Sequence, residues 1–354
     1  MFNDYDIRID NTFALITPSE ISKIYPLTEE MQKRIRGYRK TVSDILSGKD
    51  SRLIAVVGPC SIHDQEAAFE YAKMLKKLSD EISDTFFVIM RTYFEKPRTN
   101  IGWKGLIMDP DMNESYNIQK GLITARSLLL RITELGLPVG CEVLDPIIPQ
   151  YIDEIMSWSS IGARTTESQT HRNLASGLSV AVGFKNSTSG DVSSAINAIK
   201  SANSPSSFIG ISKDGKSSVF RTKGNKEAHL ILRGGTSGPN YYEDEVEEAA
   251  KQIKQSNLLD AIIIDCSHGN SKKDYRKQKR VLRQVVEEVI YGHSSIKGFM
   301  LESNIFEGRQ DITENISDLK YGVSVTDACI SFEETERILK SSRMMLKNRE
   351  KFIF

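Results

Sequence analysis

The chain has 354 residues, with 47 Lys and Arg balanced by 47 Asp and Glu, so its net charge is zero and no long-range field draws it to nucleic acid or to an anionic membrane. Its four cysteines, Cys60, Cys141, Cys266 and Cys329, stand singly rather than in pairs two residues apart, which excludes a disulfide framework and predicts free thiols in a reducing compartment. The N-terminal MFNDYDIRIDNTF lacks a basic stretch followed by an apolar run, and no run approaches the roughly eighteen residues of a membrane span, so a cytoplasmic location is expected.

Residues 1–50 form an N-terminal arm with a helix expected after Thr28. From Leu53 onward short β-rich apolar runs alternate with longer stretches of helical periodicity, the pattern of βαβ units around a parallel sheet. The predicted strands are 53–59, 86–94, 137–144, 159–164, 179–186, 229–235, 261–269 and 297–304. Between them, 64–82 places Ala68, Tyr71, Ala72, Leu75, Leu78 and Ile82 at three- and four-residue steps, and 114–135 repeats the pattern through Ile118, Leu122, Ala125, Leu129 and Ile132. A last helix is expected over about 332–350. Eight strand–helix units predict an α/β chain folded as a (β/α)8 TIM barrel over 51–354, rather than an open doubly wound sheet with its fewer strands. Two pieces fall outside that count: the arm, and 208–224, where Asp214-Gly215 sits between β-like runs as a hairpin turn does. Neither is needed to close a barrel, which makes both candidates for oligomer contact or regulation.

In such a barrel the active site lies where strands end and βα loops begin. Charged or metal-binding side chains stand at every one of those ends: Cys60, Arg91 with Lys96, Glu142, Arg164, Lys185, Arg233, His268 and Glu302, with Asp327 in the last βα loop. Any one of them alone reads as ordinary core or surface chemistry. Converging on one axis, they repel one another unless anionic ligands and a cation neutralise them. Arg91, Lys96, Arg164, Lys185 and Arg233 suit phosphate and carboxylate oxygens. Cys60, His268, Glu302 and Asp327 combine a thiolate, an imidazole and two carboxylates, a donor set for one divalent ion of the Mn, Fe, Co or Zn kind rather than Mg or Ca. The expectation is a metal-dependent enzyme acting on two small phosphorylated substrates.

The motifs GPCSIHD (58–64), RTYFEKPRT (91–99), GWKGLI (102–107), GARTTESQTHR (162–172), VGFKN (182–186), LRGG (232–235), DCSHGNS (265–271), ESN (302–304) and VTDAC (325–329) follow one family in order. The chain resembles class I 3-deoxy-D-arabino-heptulosonate 7-phosphate (DAHP) synthase of the microbial type regulated by aromatic amino acids. The resemblance implies the first committed step of aromatic amino-acid synthesis, in which phosphoenolpyruvate and erythrose 4-phosphate condense and inorganic phosphate is released. It also implies Cys60, His268, Glu302 and Asp327 as metal ligands, Arg91, Lys96, Arg164, Lys185 and Arg233 around phosphoenolpyruvate, Glu142 in the same substrate site, and Arg98 and Thr99 on the sugar phosphate. Cys60 with Lys96 or His268 is expected to carry the chemistry, the choice of proton-transfer residue staying open.

The resemblance further implies feedback inhibition in a cavity near 143–150 and 177–179, with Asp145, Pro146, Gln150 and Ser179 facing the effector and a neighbour's N-terminal arm completing it, hence a homodimer or homotetramer. Pro146 resembles the tyrosine-sensitive members, whereas the phenylalanine-sensitive ones lean to methionine there. Two rivals stand beside this reading: 3-deoxy-octulosonate-8-phosphate synthase, whose members are shorter and lack the long arm and KPRT, and a catalytically inactive regulatory paralogue.

Overall fold

The computed structural model describes residues 6–98 and 101–351. Among the described residues there are ten strands: β1 Leu53–Gly58, β2 Phe86–Arg91, β3 Val139–Glu142, β4 Trp158–Ile161, β5 Ala181–Lys185, β6 Ser207–Ile211, β7 Ser217–Arg221, β8 His229–Leu232, β9 Ile262–Asp265 and β10 Ile296–Glu302. Eight of them close a parallel barrel in the order β1-β10-β9-β8-β5-β4-β3-β2, and β6 and β7 form a separate antiparallel pair. The closed eight-stranded barrel and the inserted hairpin are thus both where the chain's pattern puts them.

Alternate strand residues divide the core. Ile54, Val56, Ile89, Trp158, Ile231, Ile263 and Met300 point into the barrel and pack with one another. Ala55, Val57, Val88 and Met90 face the helices outside. Val42, Ile45 and Leu46 of the helix Glu29–Leu46 join the inner cluster, so that helix is packed against the barrel's apolar interior. Each such buried side chain contributes roughly 1.5–3 kcal/mol. With apolar residues filling the lower layers, the polar residues collect where the strands end.

Element boundaries differ from the sequence pattern for local reasons. The segment 114–135 becomes the helix Ile118–Glu134, because Met112, Glu114 and Tyr116 take positive φ values of 53°, 61° and 50° and no helix runs through them. The segment 64–82 becomes Gln65–Glu81, with the Asp64 carboxylate accepting from the backbone N–H of Glu66 and Ala67 as its cap. The strand expected over 261–269 stops at Asp265, since the chain turns away from the ladder before His268, whose φ is +53°. One helix, Pro18–Ile24, was not expected, although Thr17-Pro18-Ser19-Glu20 is a capping box with proline in the first turn.

The hairpin β6–β7 turns at Asp214-Gly215, with φ +74° at the glycine. Its tip meets the first helix: Ser19 N–H donates to the carbonyl of Lys213 at 2.8 Å. Lys213 in turn donates to the carbonyl of Gln150 at 2.7 Å.

Candidate active site

Arg91, Glu142, Lys185 and Glu302 are the final residues of β2, β3, β5 and β10, and Cys60, Arg233 and His268 follow β1, β8 and β9 within three residues. Arg164 and Asp327 lie in the loops after β4 and β10, so all of these residues are carried at the C-terminal mouth. Arg98, also in the loop after β2, is exposed and donates from Nε to the carbonyl of Trp103 at 2.9 Å. Thr99 lies outside the described residues.

Cys60 Sγ and carboxylate oxygens of Glu302 and Asp327 lie within 4.8 Å of one another. His268 stands beside this trio rather than within it, its Nε2 3.8 Å from Glu302 Oε1. On its other side His268 Nδ1 is 2.9 Å from Asp265 Oδ2 and 2.7 Å from Ser267 Oγ. A carboxylate there favours the proton on Nδ1 and leaves the Nε2 lone pair facing the trio. Lys96 Nζ donates to Cys60 Sγ at 2.9 Å and to Asp327 Oδ2 at 2.7 Å, so a positive charge already sits among these donors. Burial, joined by the Glu302 carboxylate, pushes the Cys60 thiol up to about 12, with Lys96 opposing. For Asp327, burial is outweighed by Lys96, which holds the carboxyl well below its ordinary range. A soft thiol, an imidazole nitrogen and two carboxylates at this spacing fit a first-row divalent ion.

The cationic half divides in two. Arg91, buried over the Tyr93 ring at 3.9 Å, meets Glu302 Oε1 at 3.2 Å through Nη2, while its Nη1 is buried without a hydrogen-bond partner. Lys185, also buried, lies 3.1 Å from Asp265 Oδ2. Burial lowers the Lys185 pKa, but the neighbouring Asp265 and Tyr93 raise it further, so the ammonium keeps its proton. Arg164 and Arg233 make no ion pair among the described residues. Burial pulls the Arg233 guanidinium down, Asp265 opposes it, and the charge of Arg164 adds to the fall. Arg164 and Arg233, without ion-pair partners among the described residues, and the orphaned Arg91 N–H leave guanidinium donors at the mouth that an anion could satisfy.

Backbone close approach builds the loops that carry these groups. Gly105, at φ +111°, lets the return segment lie against the carbonyl of Phe94, where a Cβ would overlap it, and Lys96 N–H donates to the carbonyl of Lys104 at 2.9 Å. Asn186 Oδ1 accepts from Arg233 N–H at 2.7 Å and from Asn240 Nδ2 at 3.2 Å, tying the loops after β5 and β8 together.

Sequence reasoning passed over two residues here. Asp265, fully buried, touches both Lys185 and His268; burial raises its pKa, but His268 and Lys185 together pull it well below the ordinary range. It is the last residue of β9, and ending that strand correctly would have exposed it as a strand-end group. Glu95 is buried beside Lys96 and accepts from Asp145 N–H at 3.1 Å, and burial followed by the charge of Asp145 raises it to about 8. An unfolded carboxyl ionises near 4.5, so the native state binds the extra proton and stability falls as pH rises between about 5 and 8. Glu95→Gln is expected to remove most of that fall, read as urea midpoints across the same pH range; equal slopes in both proteins would contradict the assignment.

Of the four residues assigned to an effector, Gln150 and Ser179 lie near the hairpin and Asp145 and Pro146 in the loop after β3. Asp145 and Pro146 follow β3, with Asp145 Oδ1 accepting from Ile147 N–H at 2.7 Å. Gln150, in the short helix Pro149–Ile152, meets Lys213 at the hairpin tip, as described above. Ser179 is exposed just after the turn at Gly177, a turn that packs against Thr222 and Phe208 at the hairpin base.

Comparison with known proteins settles the family, since residues 25–340 match the model of the DAHP synthetase I family. The chain belongs to the DAHP synthetase I family. It is 50% identical over 335 residues to the Tyr-sensitive phospho-2-dehydro-3-deoxyheptonate aldolase of Escherichia coli, covering 95% of this chain and 94% of that one. To the phenylalanine-inhibited enzyme of Saccharomyces cerevisiae it is 46% identical over 352 residues, covering 98% and 95%. The solved phospho-2-dehydro-3-deoxyheptonate aldolase of Francisella tularensis superposes with a TM-score of 0.94 at 47% identity, covering 96% of this chain and 99% of that one. The chain is therefore a DAHP synthase, joining phosphoenolpyruvate to erythrose 4-phosphate, and the octulosonate-phosphate reading is set aside.

Proposed function

We propose that the mouth described above carries this reaction with metal dependence and aromatic feedback control. The observation that supports it most directly is the thiol–carboxylate trio of Cys60, Glu302 and Asp327 at a mouth that also carries Arg91, whose buried Nη1 has no hydrogen-bond partner, and Arg164 and Arg233, neither in an ion pair among the described residues. Arg91, Arg164, Lys185 and Arg233 hold the phosphate and carboxylate of phosphoenolpyruvate, Glu142 borders that site, and Arg98 with Thr99 receives the sugar phosphate. Cys60, His268, Glu302 and Asp327 hold one divalent ion of the Mn, Fe, Co or Zn kind. When bound, that ion supplies Lewis-acid polarisation of the aldehyde carbonyl.

The enol carbon of phosphoenolpyruvate attacks the aldehyde carbon, and the aldehyde oxygen gains a proton. Burial lowers the Lys96 pKa, but Cys60, Asp327 and Glu302 raise it more, so Lys96 stays an ammonium and serves as the donor. His268, its Nδ1 tied to Asp265, positions rather than donates. Water adds at the neighbouring carbon, and the phosphohemiketal collapses with loss of inorganic phosphate, whose charge the Arg164–Arg233 pair stabilises. Phosphate release is expected with erythrose 4-phosphate and not with arabinose 5-phosphate, lost on chelation and restored by Mn, Co, Fe or Zn. Full turnover in chelator would remove the metal from this account, and no turnover with either sugar would favour an inactive paralogue.

Feedback control is supported by the relatives, which are named Tyr-sensitive and phenylalanine-inhibited, and by exposed apolar side chains. On the arm, Ile7, Ile9, Phe13 and Leu15 alternate and are exposed, Phe13 at 82%. On the hairpin, the cross-strand pair Ile209 and Val219 is exposed, Ile209 at 81%. These two strips suit each other across a homodimer or homotetramer, with tyrosine bound near Asp145, Pro146, Gln150 and Ser179. Deleting residues 1–16 is expected to lower the solution mass by light scattering and to raise the half-inhibiting tyrosine concentration at least tenfold; an unchanged mass and unchanged inhibition would refute it. No described helix is long and apolar enough to cross a membrane, and all four cysteines are free and buried, which supports a cytoplasmic location.

A further inference from the structure

Away from the barrel mouth, the helix Glu243–Gln255 and the loop 291–295 before β10 enclose a groove of about 620 Å³. Glu243 and Glu247 stand one helical turn apart on the same face. Their carboxylates and the His293 imidazole lie within 4.8 Å of one another. A third carboxylate closes the group from beneath: Glu288 is 2% exposed, its Oε1 accepts from Gln284 Nε2 at 2.6 Å, and its Oε2 faces His293 Nε2 at 3.3 Å with no hydrogen bond among the described residues. His293 Nε2 is also 3.6 Å from Glu243 Oε1.

Three acids thus stand around one imidazole, with Lys251 and Lys254 lining the same groove. Among the described residues no lysine or arginine pairs with Glu243, Glu247 or Glu288; the nearby Lys251 and Lys254 lean to Glu248 and Asp260 instead. A protonated His293 serving only as counter-ion would draw its partners to the roughly 2.7–2.9 Å of a charge-assisted hydrogen bond. The 3.6 Å between His293 Nε2 and Glu243 Oε1 is instead close to the roughly 3.3 Å between adjacent donors of a tetrahedron with metal bonds of about 2.0–2.1 Å.

We propose that Glu243, Glu247 and His293, backed by the buried Glu288, bind a second divalent transition-metal ion, of which zinc suits one imidazole and several carboxylates best. The ion ties the helix that follows β8 to the loop that opens β10, a structural role independent of the barrel mouth.

The test is to dialyse the full-length protein against excess zinc, remove unbound ion and count zinc by atomic emission. Wild type is expected to hold two ions per chain, Glu247→Gln and His293→Ala one each, and Cys60→Ala one. Glu247→Gln changes an exposed helix position, so its count stays readable even if His293→Ala, which strands the buried Glu288, fails to fold. One ion in wild type and none in Cys60→Ala overturns the proposal, as does an unchanged count in Glu247→Gln. Two ions retained in Cys60→Ala, with one lost in Glu247→Gln, supports this site while showing that the other ion does not need Cys60.

Discussion

Cys60→Ala is expected to lose turnover by at least a thousandfold and to bind metal at least a hundredfold more weakly, with the fold retained. The thiol is the soft member of a trio whose other donors are carboxylates, and it sits two residues past β1, where Gly58, at φ +153°, bends the chain close to Arg91. Removing it leaves Lys96 with Asp327 alone, at 2.7 Å, so the ammonium that serves the aldehyde oxygen also loses one of the two groups that hold it in place. Cys60 belongs to the polar mouth rather than to the apolar layers that close the barrel, so its loss leaves those layers intact. Metal content, initial rates of phosphate release and the thermal unfolding curve check the three parts separately. Retained metal with normal rates would defeat the assignment, and a collapsed unfolding transition would make the thiol structural.

Asp265→Asn is the second large effect, and it concerns a residue that binds no substrate in this account. One oxygen of the buried Asp265 lies 3.1 Å from the buried Lys185 and 2.9 Å from the partly buried His268. Breaking one partner of such a pair costs about 3–5 kcal/mol, because it strands a charge away from water. The same change frees the His268 ring to reverse its tautomer, and losing an outer carboxylate behind a metal-binding imidazole typically weakens metal binding about 10–100-fold. The expected result is a lowered urea midpoint, weaker metal binding and a rate reduced by roughly three orders of magnitude. A purely structural role would lower the midpoint alone; unaltered metal affinity in the folded variant would show that Asp265 does not orient His268.

Much of this was readable from residue order. Alternating apolar runs and helical periods specify eight parallel strands because a βαβ unit has few ways to bury its apolar faces, and Asp214-Gly215 specifies a hairpin because glycine accepts the positive φ of its turn. Boundaries were less legible. Positive φ at Met112, Glu114 and Tyr116 delays a helix whose apolar spacing begins earlier, and the turn before His268 ends β9 at Asp265. Overextending that strand hid Asp265, since the rule for finding site residues depends on knowing where each strand stops. Glu95 was hidden differently: nothing in YFEKP says that a carboxylate between Phe94 and Lys96 points into the protein.

The order of residues by itself determined the barrel, the hairpin and which side chains stand at the strand ends, because these depend on short-range periodicity and turn chemistry. Only the tertiary structure decided which of those groups meet. It put Cys60 with Asp327, 267 positions apart, left His268 one contact outside the trio, and set Glu243 and Glu247 against His293 on the barrel's flank. Distances between loops depend on how strands are ordered around a closed sheet and how side chains pack between them, and those quantities have no local signature in the chain.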